Sequence, residues 1–315
     1  MRPSQLEKSA TTAGRTMVIV NPAAARGRGQ RAWSPIRQML KAGGLDLEEV
    51  VTHQPQEGMS VAEAAVRDGY DTVLAVGGDG TTHWVINGLM RSRADRLPAL
   101  AIIPGGTAND FPRCLGIPKN PELAARLLTD GVRRRVDVGL VNDRYYATIS
   151  GVGFDAEVAQ EVNRWPKVIG GTVVYAAGIL KMLVTYSPVE TRITLDGQTQ
   201  VLRMFLLAAA NTNWYGGGMY MAPHAHVDDG LLAVVYATDL TKLETLAVLP
   251  KVFSGEHLKH PKVFHTTARE VRVESDTPLA IHADGETVGK VPAVFRAVPQ
   301  ALEVIVPPKG VNSEW

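Results

Sequence analysis

Val73-Leu-Ala-Val-Gly-Gly-Asp-Gly-Thr-Thr-His83 is the stretch on which the reading of this chain turns. Asp71 to Val76 has the composition of a short strand buried on both faces. Gly77 and Gly78 stop it. Asp79, Gly80 and Thr81 read as a turn, and Thr82 to Met90 as a helix. A Gly-rich strand-to-helix turn leaves backbone N–H groups free at a helix N-terminus, where phosphate is favoured. Glycine lets the backbone approach phosphate with no Cβ in the way. Asp79 repels phosphate unless a cation stands between them, so the pattern points to a nucleotide together with Mg²⁺. The plain alternative is a buried turn with Asp79 as a helix cap.

Around this stretch the chain alternates strand and helix. Met17 to Val20 is a strand ending in Asn21-Pro22, Trp33 to Lys41 a helix, Leu47 to Thr52 a strand and Ser60 to Asp68 a helix. Ala99 to Ile103 is another buried run. Pro121 to Thr129 is a helix with Pro in its first turn, and Val136 to Gly139 closes the series. Short apolar strands alternating with helices predict a doubly wound α/β layer with a mainly parallel sheet. Ligands bind beyond the C-terminal strand ends of such sheets. Asn21, Thr52, Gly77–Thr81 and Pro104–Asp110 all follow strand ends and are expected to share one crevice. Pro104-Gly-Gly-Thr-Ala-Asn-Asp110 is a second Gly-rich turn. Paired with the first, it offers a grip on one nucleotide from two sides, with Asp110 a second carboxylate near Asp79.

After about Val141 the texture changes. Arg144–Ser150, Val189–Leu195, Val201–Ala210, Leu231–Thr238, Glu270–Glu274 and Leu302–Val306 read as strands, with helices at Val168–Thr185 and Lys242–Phe253. Mostly β with short turns predicts a sandwich-like second domain. A chain of 315 residues also exceeds what one core usually holds. The division expected is a flexible N-terminus at 1–16, an α/β domain at 17–140 and a β-rich domain at 141–315. No repeat or low-complexity linker marks the boundary.

Composition narrows the partners. The net charge is +1, which gives no reason to expect a nucleic-acid surface. Cys114 is the only cysteine, which excludes an intrachain disulfide and is compatible with the cytoplasm. Residues 1–16 lack an apolar signal core, and the longest apolar run, Met204 to Ala210, is too short to span a bilayer. No G-x-x-x-x-G-K-[ST] is present, so this is not a P-loop enzyme.

Six motifs occur in order: Asn21-Pro22, Gly77-Gly-Asp-Gly-Thr81, Pro104-Gly-Gly-Thr-Ala-Asn-Asp110, Gly151-Val-Gly-Phe-Asp-Ala156, Asp228-Asp-Gly-Leu231 and Asp284-Gly-Glu286. Together they resemble the diacylglycerol kinase catalytic family, lipid kinases that also include sphingosine and ceramide kinases. The likeness runs from about Met17 to Val306. The first turn is shared with NAD kinases and 6-phosphofructokinases, whereas the Gly-Gly-Thr-Ala-Asn-Asp turn is far more specific.

The resemblance implies an ATP- and Mg²⁺-dependent lipid kinase that phosphorylates a lipid hydroxyl at a membrane surface. Diacylglycerol going to phosphatidic acid is the first expectation. It implies nucleotide binding by Asn21, Pro22, Ala23, Ala24, Ala25 and Arg26, by Thr52, by Gly77, Gly78, Asp79, Gly80, Thr81, Thr82 and His83, and by Gly106, Thr107 and Asn109. Asp79, Asp110 and Asp137 match residues that organise Mg²⁺ through water. Asp229 matches a metal ligand in the second domain, with the carbonyls of His226 and Leu231 beside it. Glu286 matches a proposed general base, and Asp284 competes with it for that role. Relatives usually carry Ser-Gly after Asn-Pro, where this chain has Ala23-Ala-Ala-Arg-Gly27; Arg26 and Arg28 offer phosphate-facing charge instead. The location implied is cytoplasmic and peripheral to a membrane, with a homodimer left open. A NAD kinase-like enzyme and a non-catalytic nucleotide- or lipid-binding relative are the alternatives.

Other features carry two readings. Gly27-Arg-Gly-Gln-Arg-Ala32 and Gly151–Ala156 each fit a loose dinucleotide fingerprint. His224-Ala-His226 beside Asp228 and Asp229 has the ligand types of a transition-metal cluster, although oxygen ligation of Mg²⁺ accounts for the same loop. Arg133-Arg-Arg135 reads as a solvated face or a contact for anionic headgroups. Trp214, Tyr215, Met219, Tyr220 and Met221 read as core or as the mouth of an acyl-chain pocket.

Overall fold

The computed structural model describes residues 14–22, 28–163 and 171–310. Most of the expected flexible N-terminus, the Ala23–Arg26 loop and residues 168–170 of an expected helix lie outside these. The chain forms two compact units, one running to Val136 and resuming at Leu302, the other Asp137–Ala301.

In the first unit the order is β1 (Thr16–Val20), α1 (Arg28–Ala42), β2 (Leu47–Val51), α2 (Glu57–Arg67), β3 (Thr72–Gly77), α3 (Asp79–Arg91), β4 (Ala99–Pro104), α4 (Asp110–Cys114), α5 (Pro121–Asp130) and the start of β5 (Val132–Val141). The strands β2, β1, β3 and β4 lie side by side and parallel, with Val20 opposite both Val51 and Val76, and Gly77 opposite Pro104. Every residue of β1, β3 and β4 is buried, as their unbroken apolar runs demand. The chain moves one way from β1 to β2 and the other way from β2 to β3. Right-handed crossovers therefore put α1 on one face and α2 and α3 on the other. Accordingly α2 packs on α3, and α1 on α5. This is the doubly wound layer expected.

The helix after β3 starts earlier than the sequence suggested. Asp79 to Thr81, read as a turn, form the first turn of α3, with Gly78 as an extended N-cap and no side-chain cap. The helix α4 was not foreseen. Arg133 and Arg135, read as solvated or headgroup-facing, lie on β5 and both pair with Glu303, at 3.4 and 3.5 Å.

The second unit continues from β5 with β6 (Arg144–Tyr146), β7 (Ile149–Gly153), α6 (Phe154–Asn163), α7 (Gly171–Thr185), β8 (Val189–Leu195), β9 (Gln198–Ala210), β10 (Leu232–Thr238), α8 (Lys242–Val248), β11 (Val263–Ala268), β12 (Glu270–Glu274), β13 (Ala280–Ala283), β14 (Glu286–Lys290) and β15 (Ala293–Val306). Its strands pair antiparallel in the order β14-β13-β7-β9-β8-β12-β15, and β10 pairs with both β9 and β11. Side chains alternate faces along a regular strand, and β9 shifts register against β10 between Met204 and Leu206. On β9, Phe205, Ala208 and Ala210 enter one core with Phe154, Leu183 and Tyr215, while Met204, Leu207 and Ala209 enter another with Ile193, Val271 and Phe295. Both faces are buried, which is why Met204–Ala210 is an unbroken apolar run.

Two expected elements divide. Arg144–Ser150 breaks between β6 and β7 because the N–H groups of Ala147 and Thr148 go to the Asp284 carboxylate, both at 2.8 Å. The expected helix Lys242–Phe253 is α8 followed by a 3₁₀ turn at Leu249–Phe253, with Pro250 at the junction.

Candidate active site

The strand order reverses at β1, so the crevice of this α/β layer opens between the C-terminal ends of β1 and β3. Asn21, just past β1, bridges it twice: its N–H donates to the Val76 carbonyl at 3.0 Å, and its Nδ2–H donates to Thr81 Oγ1 in the first turn of α3 at 3.0 Å. The Thr52 hydroxyl donates to the Val20 carbonyl at 3.2 Å and is buried, so it closes the end of β1 against β2.

The two Gly-rich turns are packed backbone to backbone. Gly105 N–H donates to the Gly77 carbonyl at 2.7 Å. A Cβ on Gly106 would stand 2.5 Å from Gly78 Cα and 2.8 Å from Asn109 Oδ1, and one on Gly77 would stand 2.3 Å from Thr81 Oγ1. Those glycines are required by the packing. Gly80 differs: its missing Cβ has no neighbour within 4 Å, so it keeps open space over the first turn of α3. Asn109 adopts φ 55° and closes its own turn, accepting Gly106 N–H at 2.9 Å and donating to the Gly106 carbonyl at 3.0 Å. Its side chain is buried in that task, whereas Thr107 is exposed. Pro22 sits half-buried after Asn21. Thr82 and His83 are buried, and the Asn87 amide donates to the His83 carbonyl at 2.8 Å, so these two belong to the packing of α3.

Asp79 and Asp110 are the acidic residues of this edge. Asp79 Oδ1 accepts Phe111 N–H at 3.3 Å, tying the start of α3 to the start of α4, and Asp110 is buried beside it in sequence. The third carboxylate that the resemblance groups with them is Asp137. It belongs to the second unit, is wholly buried, and accepts Gly230 N–H at 2.6 Å and Gln300 N–H at 2.7 Å. Asp137 thereby holds the His226–Leu231 loop. On that loop His226 and Asp229 are exposed, and Asp229 Oδ1 accepts Leu231 N–H at 3.0 Å. Among the described residues no three His, Cys, Asp or Glu side chains come together as metal ligands.

At the Asp284-Gly285-Glu286 turn the two acids have different surroundings. Asp284, at φ 51°, accepts Ala147 N–H and both the N–H and hydroxyl of Thr148, the last at 2.6 Å. Burial pushes the Tyr146 phenol up, and the Asp284 charge adds to the shift. Glu286 is half-buried at the first position of β14.

The second unit also contains a pocket lined among others by Phe154, Val158, Phe205, Tyr215, Met219 and Met221. The aromatic and Met segment singled out in the sequence supplies three of these. Among the described residues Asp155 is the one charged residue in the lining. Its Oδ2 faces His282 Nε2 at 3.0 Å, an interior pair that sequence reading missed because 127 residues separate its members. Asn211, also missed, donates to the carbonyls of Asp137 and Ala147. The only sequence trace of it is a polar residue directly after the apolar β9.

Two family models match the chain: the diacylglycerol kinase catalytic domain over residues 15–141, and the YegS C-terminal NAD kinase beta sandwich-like domain over 148–306. A diacylglycerol kinase of Mycobacterium tuberculosis is 34% identical over 306 residues, covering 94% of this chain and 96% of that one. One of Staphylococcus aureus is 31% identical over 300 residues, covering 95% of each. The crystal structure of a diacylglycerol kinase from Bacillus anthracis is similar with a TM-score of 0.75 at 28% identity, covering 94% of this chain and 98% of that one.

Proposed function

The chain belongs to the diacylglycerol kinase catalytic family and is a lipid kinase, and from that premise we propose that it transfers the γ-phosphate of ATP, with Mg²⁺, to the hydroxyl of diacylglycerol. The observation that carries the reading is the pair of Gly-rich turns locked together at Gly78 and Gly106, with open space kept over Gly80. Backbone N–H groups at the start of a 13-residue helix suit phosphate. Mg²⁺ is usually held by one or two carboxylates plus phosphates, and Asp79 and Asp110 supply that number. Bound Mg·ATP would supply the phosphoryl group and neutralise its charge. The chain's residues would do the rest: Asp79 and Asp110 would hold the cation, the turns would orient the phosphates, and Glu286 would take the proton from the lipid hydroxyl. Asp229, with the carbonyls of His226 and Leu231, would hold a metal ion in the second unit.

The pocket beneath α7 and α8 suits an acyl chain, because its lining is almost wholly apolar. Among the described residues no helix is long and apolar enough to cross a membrane. We assign membrane contact to the exposed apolar side chains on the helices that line the pocket, Leu180 and Val184 on α7 and Leu243 and Leu246 on α8. The deciding experiment supplies Mg·ATP with dioleoylglycerol in mixed micelles, with NAD, or with no acceptor. Lipid-dependent phosphate transfer is expected. Transfer to NAD, or ATP binding with no transfer, would establish one of the alternatives.

A further inference from the structure

The Gly151-Val-Gly-Phe-Asp-Ala156 motif is not a dinucleotide fingerprint; it makes room for a hydrogen bond between Asp155 and His282. A Cβ on Gly151 would stand 2.3 Å from Asp155 Oδ2 and 2.8 Å from His282 Nε2. Only glycine there lets the carboxylate and the imidazole meet. His282 is wholly buried on β13. Its Nδ1 accepts the N–H of Gly285 at 3.3 Å. With Nδ1 acting as acceptor, the proton lies on Nε2 and is donated to Asp155 Oδ2 at 3.0 Å. Asp155 Oδ1 accepts Ala156 N–H at 2.9 Å, and Tyr215 stacks on the imidazole with ring centres 5.5 Å apart.

These contacts form a chain. Asp155 and Tyr215 both line the apolar pocket, both touch His282, and His282 holds the backbone of Gly285, the residue before Glu286. We propose that His282 is a positioning residue that couples occupation of the pocket to the placement of Glu286. A chain filling the pocket fixes Asp155 and Tyr215, they fix the ring, and the ring fixes the turn. This rests on the lipid-kinase reading only for the identity of the pocket's occupant. A buried polar group at the wall of an apolar pocket costs free energy unless it is paired, and here the pairing leads directly to the turn that carries the base.

Two variants separate the arms of the ring. His282→Gln places an amide near Nε2 and can still meet Asp155, while the Gly285 N–H loses its acceptor. His282→Asn places an amide near Nδ1 and can still accept from Gly285, while Asp155 loses its partner. The readout independent of activity is hydrogen exchange in the peptide carrying Gly285 and Glu286, with and without dioleoylglycerol micelles, alongside melting temperature. In the wild type, micelles should slow exchange there. In His282→Gln, exchange should be roughly threefold to tenfold faster, the scale of one lost hydrogen bond, whatever the micelles do. In His282→Asn, the basal protection should remain and the response to micelles should vanish. Turnover on dioleoylglycerol should fall by about 10²-fold in His282→Gln with the KM for ATP unchanged, as for a misplaced catalytic group. Exchange at Gly285 that ignores both variants, at melting temperatures near wild type, overturns the coupling. If the wild type shows the coupling but phosphorylates no diacylglycerol, the substrate reading fails and the coupling stands.

Discussion

Asp79 Oδ1, at the start of α3, accepts the N–H of Phe111, in α4, at 3.3 Å. One carboxylate therefore joins two helix starts and brings negative charge to an edge suited to phosphate. The bond and the charge can be separated. Asp79→Asn keeps an oxygen acceptor for Phe111, so the melting temperature should stay near wild type. Turnover should fall by about 10²–10³, the scale for removing one preorganised electrostatic contact. Near wild-type turnover would reduce Asp79 to a structural tie.

Glycine is required at Gly106 and Gly80 for different reasons, and alanine tells them apart. Gly106→Ala drives a Cβ to 2.5 Å from Gly78 Cα, so the two turns must part, and both stability and ATP affinity should drop. Gly80→Ala meets no protein atom within 4 Å and lies in a helix. It should raise stability by up to about 1 kcal/mol, the Gly-to-Ala helix difference, while weakening ATP binding. Thermal melts and nucleotide titrations on both variants check this. Unweakened ATP binding by Gly80→Ala would move the phosphates away from α3.

How much of this was legible in the sequence depends on how local the cause is. The strands β1, β3 and β4 announced themselves because burial on both faces requires unbroken apolar runs. The start of α3 did not, because Asp-Gly-Thr is a turn composition and the local cap is an extended Gly78 rather than a side chain. The strand β11 was missed because its middle residues, Phe264 to Thr267, are exposed and polar-rich, so no apolar alternation marks it. The hydrogen bonds of Asp137 could not be read locally, because its partners Gly230 and Gln300 lie 93 and 163 residues away. The Asp155–His282 pair was hidden for the same reason.

The wall of the pocket has a built-in pH dependence. Glu244 is in the capping box that starts α8, and its carboxyl is held well below the usual range, at about 2, first by Lys262 Nζ at 2.7 Å and then by the N–H and hydroxyl of Thr241. A folded-state value depressed below the unfolded one, about 4.3, gives stability that is present above that pH and is lost as pH falls toward 2. The difference in melting temperature between wild type and Glu244→Gln should therefore be full at pH 7 and shrink between about pH 4.5 and 2. A difference independent of pH would show that Lys262 contributes no charge-dependent support.

Contact with a membrane should be weak and salt-sensitive. Leu243 is 79% exposed and Val184 69%, and Lys242 and Lys251 are exposed close by in sequence. Each lysine near an anionic surface contributes about 1 kcal/mol, screened within a Debye length. Sedimentation with phosphatidylglycerol vesicles should decline as salt rises, and the double variant Leu243→Ser, Leu246→Ser should bind them less at an unchanged melting temperature. Unaltered sedimentation of that variant would place the membrane-facing surface elsewhere.

The choice of base turns on what each acid of the Asp284-Gly285-Glu286 turn is already doing. Asp284 has three donors converging on it: Ala147 N–H, Thr148 N–H and the Thr148 hydroxyl. Those bonds fix the break between β6 and β7, so the acceptor positions of the Asp284 carboxylate are engaged by Ala147 and Thr148 rather than open to a substrate hydroxyl. Glu286 begins β14, with a longer side chain and only partial burial. Asp284→Asn replaces one accepting oxygen with an amide that would face a backbone N–H, so it should destabilise the protein by about 2 kcal/mol, the scale of a lost hydrogen bond to a charged group. Glu286→Gln should melt like wild type and bind ATP normally, while turnover falls by about 10²–10⁴, as for loss of a positioned acid or base. Turnover, ATP affinity and melting temperature measured on both variants decide the matter. A stable Asp284→Asn protein without turnover, beside an active Glu286→Gln, would reverse the assignment and make the clamp the base.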